Sequence, residues 1–454
     1  MSTRRWRAAL VATCLVTTAV VSAVVASLDA LLILLVLLLA VASLVVAIRW
    51  PITLFYAYCA AIPFNFALPP GPAGTVARIA GLVFFVGYLI REPASLRPKT
   101  VPVAGWLLVA WTLTSTLWAI DPGTGFDVWL TLAQLFAITV LVASLVATNP
   151  EILRKALWSY AISATVTAVI GSLSYLQATA VDAARVAAFA DQDPALYASL
   201  VLPAAIFLMD EVQSRSTRAL LRVLAACALI ACVAALAFSG TRSAWVGILV
   251  ATVVWVIVRR EPRQVLAVAA LSCGVVILLA RVPGIGDFLL GRAQMSLATG
   301  AGRTDIWVVG LGMLAAAPLL GVGFGNFSLA FTPYAIAQAS ASGAGGALFA
   351  GRAPHNVLLG ISVETGVLGG LLLLAFFVSA LLPSTGDRAS TIVRVALISL
   401  FVQSMFLDVL LQKQLWLFLA MAFGLASSQR LARVPGRQQP AAPGHLVRLA
   451  RRVT

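Results

Sequence analysis

Long apolar runs separated by short basic clusters make up most of the chain. A helix that crosses a bilayer needs about 20 predominantly apolar residues. On that criterion about fourteen spans are expected, near 8–27, 30–48, 52–69, 75–90, 102–120, 126–147, 154–177, 195–209, 219–238, 243–258, 264–280, 355–381, 393–409 and 414–428. Pro63 breaks the third, which suits a re-entrant segment, and the last is short. The first run follows Arg4-Arg5-Trp6-Arg7, as a signal peptide would. It continues past the usual length without a small-x-small cleavage site, so it reads as a retained helix.

The expected fold is therefore all-α, a polytopic transmembrane bundle of about 12–14 helices with one long external loop. Residues 1–281 form the N-terminal transmembrane helices, 282–354 the large external loop, 355–428 the C-terminal transmembrane helices and 429–454 a basic cytoplasmic tail. The loop is rich in Gly and Ala. Its stretch Thr304 to Leu314 brings Ile306, Trp307, Gly310, Met313 and Leu314 towards one face, which predicts an amphipathic helix lying on the membrane surface.

Composition sharpens this picture. The chain is 61% hydrophobic and only 10% charged, far from a soluble globular domain. Its net charge of +15 does not point to nucleic acid, because the basic clusters lack interleaved stacking aromatics. With the N-terminus in the cytoplasm, the basic residues fall in alternate loops and in the tail, as the positive-inside rule requires. Anionic membrane lipid is their expected partner. The five cysteines lie inside apolar runs and read as packing residues. With only two histidines and five cysteines in separate apolar runs, no metal site or other cofactor is expected.

Eight basic residues escape that partition: Arg78, Arg185, Arg242, Arg281, Arg292, Arg303, Arg352 and Lys413. Charge at membrane depth is costly and usually functional. Arginine suits phosphate oxygens because its fork binds bidentately and stays charged. The plainer reading of any one of them is an interfacial arginine reaching lipid headgroups, yet Arg78, Arg185, Arg242 and Arg303 share one face of the membrane. His355, in Arg352-Ala353-Pro354-His355-Asn356, sits where the long loop enters the next helix. An imidazole there suits proton abstraction from a hydroxyl, against the plainer reading of an interfacial anchor. Asp305 and Glu364 are the carboxylates nearest these residues. Gly321-Val322-Gly323-Phe324-Gly325 has no preceding strand and no following lysine, so it reads as a tight turn after Pro318 and not as a nucleotide loop.

Taken in order, these segments resemble the O-antigen ligase and polymerase superfamily of bacterial membrane glycosyltransferases. His355-Asn356, nine residues, then Gly366-Val367-Leu368-Gly369 is similar to that family's histidine motif. Gly302-Arg303 through Trp307, followed by Pro318 to Gly323, resembles its loop signature, and Ser239 to Arg242 its arginine turn. Arg185 to Phe189 before Asp193-Pro194, and Ser115 to Ala119 before Asp121-Pro122, are weaker copies.

The resemblance implies an all-helical glycosyltransferase of about twelve helices in the cytoplasmic membrane. Such an enzyme uses no metal and inverts the sugar carbon. Its donor would be a glycan on a polyprenyl diphosphate such as undecaprenyl diphosphate, and its acceptor a glycan or lipid at the outer face. His355, Arg303 and Arg242 would be catalytic, with Arg185, Asn356, Arg352, Arg78, Asp305 and Glu364 binding substrate. The alternatives are a lipid-linked oligosaccharide flippase or other polytopic transporter, or a structural partner in envelope assembly.

Overall fold

A computed structural model describes residues 51–67, 75–92, 96–177, 187–189, 192–214, 216–259, 303–342, 352–382 and 387–432, with isolated positions between 270 and 281. The first two predicted spans, most of 264–280, and Arg185 lie outside the described residues. Every regular element described is helical: α1 Pro51–Ala61, α2 Val76–Arg91, α3 Val103–Ser115, α4 Pro122–Thr148, α5 Leu153–Gln177, α6 Pro194–Gln213, α7 Ala219–Phe238, α8 Arg242–Arg259, α9 Arg303–Ala316, α10 Phe327–Ser342, α11 Val357–Leu381, α12 Arg388–Ser404 and α13 Lys413–Ala432. The fold is an all-α polytopic helical bundle. Among the described residues α4, α6, α7, α11, α13 and the stretch Pro150–Gln177 are long and apolar enough to cross a membrane. Others are shorter; α1 stops before Pro63.

Local chemistry sets several starts. Asp121 caps α4 by accepting from Gly123 N and Thr124 N, and Asp193 caps α6 by accepting from Ala195 N and Leu196 N. Proline follows each cap as the first helical residue, where its missing N–H is harmless. Asp387 caps α12 in the same way, so that helix runs 388–404, earlier than the predicted 393–409. The predicted short span 414–428 is a 20-residue helix, α13.

Alternating chain direction sorts the connections into two ends. One end carries Arg91, Arg97, Lys99, Arg154, Lys155, Arg218, Arg222, Arg388 and Arg430, and is called the basic end. There the buried carboxylates Asp210 and Glu211 are paired: Arg154 donates to both Glu211 oxygens at 3.0 and 2.7 Å, and Arg388 pairs with Asp210. Burying two carboxylates in a bundle requires such partners. In the body, α4 lies along α13, α6 lies against α5, α7 and α12, and α3 along α11.

The opposite end, the motif end, holds the segments 116–121, 192–193, 239–241, 317–326, 352–356 and 405–412. The segment 282–354 contains two described helices, not one. In α9 the buried face is Ile306, Val309, Gly310 and Met313, with Trp307 and Leu314 partly covered, so the expected face is present. It packs on α10 and α11. α10 was not foreseen: Pro333 lies inside it, and its Ala- and Ser-rich sequence carries little pattern.

The glycine turn after Pro318 is built into the bundle. α11 is interrupted at Thr365 and Gly366, whose φ is 74°. The break frees backbone groups, and the turn takes them: Val322 N donates to Val363 O at 3.0 Å, Gly323 N to Glu364 O at 2.8 Å, and Val367 N to Pro318 O at 2.8 Å. A Cβ on Gly366 would collide with the Leu319 carbonyl oxygen, and one on Gly323 with Ala119. The weak motif Ser115 to Ala119 holds the other side: Trp118 Nε1 donates to Leu320 O at 2.9 Å and Ser115 Oγ accepts from Phe324 N at 3.2 Å. Both segments thus have a packing role.

Candidate active site

His355 is the joint between the long segment and α11. Its φ of 47° makes it the one non-glycine residue with positive φ among those described, a conformation that histidine adopts more readily than most residues but that still needs surrounding support. Asn356, next in the chain, caps α11 by accepting from Leu359 N at 2.9 Å. A Cβ on Gly360, one turn on, would strike the Pro354 ring, so α11 closely backs the proline that precedes His355.

The imidazole is half-buried and lies within charge range of three ionised side chains, two from distant parts of the chain and one, Arg352, from its own segment. Burial lowers its pKa below the ordinary value. The Arg303 charge, from the first residue of α9, pushes the same way. Asp193, at the start of α6, opposes it, and Arg352 lowers it again. The net direction is down, so the ring is neutral at neutral pH and able to take a proton.

Arg242 opens α8 after the turn 239–241. That turn rests on the same α6 terminus, since the Thr241 hydroxyl donates to Pro194 O at 3.3 Å. The structure therefore brings His355, Arg303 and Arg352 together with Asp193, and sets Arg242 beside the terminus that bears Asp193. Asp305 is exposed in the first turn of α9. Glu364 lies two turns into α11, and its carboxylate accepts from Phe327 N at 3.1 Å. Asp408, in the segment between α12 and α13, is within charge range of Glu364. Arg78 is held elsewhere: its Nε donates to Gln134 Oε1 at 2.9 Å, and it lines a cavity with Lys413 that no residue of the histidine group lines.

Reading the sequence missed Asp193, Gln192, Ser243 and Gln403. Six of the eight buried side-chain atoms that lack a hydrogen-bond partner among the described residues belong to this neighbourhood by element: both amide atoms of Gln192, Ser243 Oγ, Trp307 Nε1, His355 Nδ1 and Gln403 Oε1. Gln192 precedes Asp193, Ser243 follows Arg242, Trp307 lies one turn after Arg303, and Gln403 Nε2 donates to Ala195 O at 3.4 Å. A buried polar atom without a partner costs about 1–3 kcal/mol, so a group of them suits a polar ligand. Nearness in sequence to Asp193-Pro194 and Arg242 was the signal available for Gln192 and Ser243, whereas Gln403, in α12, lies far from both.

Among the described residues no group of histidine, cysteine and carboxylate side chains is arranged to hold a metal ion. No curated protein matches the chain. Residues 226–374 match the family model described as O-antigen ligase, a stretch that begins inside α7 and includes Arg242, Arg303, Arg352 and His355. The sequence resemblance and the matched stretch agree: residues 226–374 of this multi-pass membrane protein are similar to the O-antigen ligase family, which supports a relation to the O-antigen ligase and polymerase superfamily and an O-antigen ligase-like role in glycan assembly.

Proposed function

We propose that the chain is an inverting membrane glycosyltransferase that moves a glycan from a polyprenyl diphosphate to an acceptor hydroxyl. The observation that carries this reading is His355 at the mouth of α11, half-buried and within charge range of Arg303 and Arg352. Arg303 and Arg242 hold the donor diphosphate and stabilise the charge that develops on it. The acceptor oxygen attacks the sugar C1 from the face opposite the diphosphate. The C1–O bond to phosphate breaks, its electron pair leaves with the diphosphate, and the acceptor proton passes to the His355 imidazole. Direct attack inverts C1. The arginines supply the positive charge, so the step invokes no metal. The unpartnered amide, hydroxyl and indole groups of Gln192, Ser243, Gln403 and Trp307 suit sugar hydroxyls.

On this reading the motif end lies at the outer face of the cytoplasmic membrane, with both termini inside. The concentration of arginine and lysine at the basic end supports that orientation. A cysteine introduced at Ser342 would then react with an impermeant maleimide added outside; labelling only from the cytoplasmic side reverses the topology and the mechanism with it. The reaction is tested by giving the purified full chain polyprenyl-diphosphate glycans and a candidate acceptor. Release of the lipid diphosphate with transfer of the glycan is the expected result. Movement of the intact lipid-linked glycan across vesicles, without cleavage, would instead mean a transporter.

A further inference from the structure

A cavity of about 90 Å³ opens between α2, α4 and the start of α13. Two cations line it: Arg78 in the first turn of α2 and Lys413, the first residue of α13. They lie within charge range of each other. No carboxylate lines the wall, and neither cation forms an ion pair among the described residues. Gln134, Thr131 and Tyr58 are the neutral polar residues; Gln134 Oε1 accepts from Arg78 Nε at 2.9 Å, which fixes the guanidinium. Much of the rest is apolar, including Leu82, Phe85 and Ile138.

Two like charges among apolar side chains repel and lack compensation unless an anion joins them. Both are among the basic residues that the positive-inside partition leaves unexplained. The shape adds a second constraint. From Arg78 to Phe85 is about two turns, roughly 10 Å along α2, so the apolar wall extends from the cationic mouth towards the basic end. A charged head with an attached chain fits that polarity, and a free ion uses only the mouth.

We propose that this cavity binds the phosphate headgroup of an anionic lipid, with the phosphate between the Arg78 guanidinium and the Lys413 ammonium and the chain along Leu82, Phe85 and Ile138. This site is separate from the one proposed for the donor diphosphate and does not depend on His355 chemistry. A membrane phospholipid and a polyprenyl monophosphate share the recognised chemistry.

The test uses the purified full chain in neutral detergent, stripped of lipid. Phosphatidylglycerol, undecaprenyl phosphate, phosphatidylcholine and inorganic phosphate are added separately, and thermal stability and retained lipid are measured. Phosphatidylglycerol or undecaprenyl phosphate should raise the melting temperature. The stronger of the two names the lipid, and phosphatidylcholine and inorganic phosphate should do much less. Arg78→Gln and Lys413→Gln should each weaken lipid retention at least ~10-fold, the loss of one charge-assisted contact. Without lipid, each variant should melt no lower than the native chain, because a like-charge repulsion is gone. A response to inorganic phosphate equal to that of the lipids would overturn the proposal. So would variants that keep the lipid response, or that melt lower in its absence while keeping it. Arg303→Lys separates the two sites: it should leave phosphatidylglycerol retention unchanged whatever it does to transfer.

Discussion

The side-chain carboxylate of Glu364 accepts a hydrogen bond from the backbone N–H of Phe327 at 3.1 Å, joining the interior of α11 to the first residue of α10. One residue later α11 breaks. The carboxylate and the freed carbonyls of Val363 and Glu364 together hold the glycine turn, and the turn sets where α9 and α10 sit on the bundle. The glycines of the histidine motif thus work through backbone geometry: they fix the platform from which Arg303 approaches His355.

That platform makes Gly366 a critical position. Gly366→Ala adds a Cβ against the Leu319 carbonyl and strains a φ of 74°. It should destabilise the protein by about 2–4 kcal/mol, in the range of combined strain and overpacking. Gly312→Ala is the control, since nothing lies within 4 Å of its Cβ position; it should be neutral or slightly stabilising in the α9 interior. Thermal unfolding in detergent compares the two, and equal melting temperatures would remove the structural role assigned to the break.

His355→Ala should reduce glycan transfer by the roughly 10²–10⁴-fold typical of general acid–base catalysis. Donor binding should persist, because the arginines hold the diphosphate. Both are measured on one preparation. If donor binding disappears together with transfer, His355 belongs to the donor site or to the scaffold.

Arg303→Lys keeps the positive charge at the start of α9 but loses the bidentate fork. Transfer should fall about 10-fold or more, the scale of one lost charge-assisted contact, while the chain elutes and melts as before. Near-normal transfer would show that a point charge suffices there.

The pH dependence follows from the charges around His355. Its pKa lies below the ordinary value of about 6.5, and the neutral ring is the active form. Transfer should therefore hold at neutral pH and decline only as pH falls through a point below that value. Asp193 raises the His355 pKa. Asp193→Asn keeps an oxygen to cap α6 and removes the charge, so the acid limb should move to lower pH. Arg303→Gln removes the charge that lowers it and should move the limb to higher pH. A pH–rate profile of kcat/KM reads both, and a limb that stays in place in both variants would separate the ionisation from His355.

Much of the architecture was legible because bilayer burial acts on each segment locally. A run of about 20 apolar residues crosses whatever its neighbours do, and the runs from 75 to 258 coincide with α2 to α8 within a few residues. The caps at Asp121-Pro122 and Asp193-Pro194 are equally local. The histidine motif and the arginine turn were also readable, since their residues lie close in sequence. Only the tertiary structure decided which of them meet. Asp193, Arg303 and His355 are far apart in the chain, and no periodicity records that α6, α9 and α11 end at one place. The same holds for Arg78, which the sequence grouped with the other arginines of its face and the packing of α2 against α4 and α13 sets beside Lys413 instead. α10, with a proline inside it, left no readable pattern, and the glycine turn after Pro318 and the break at Gly366 depend on one another: each satisfies backbone groups that the other leaves open, and hydrogen bonding across so long a stretch of chain has no signature in local sequence.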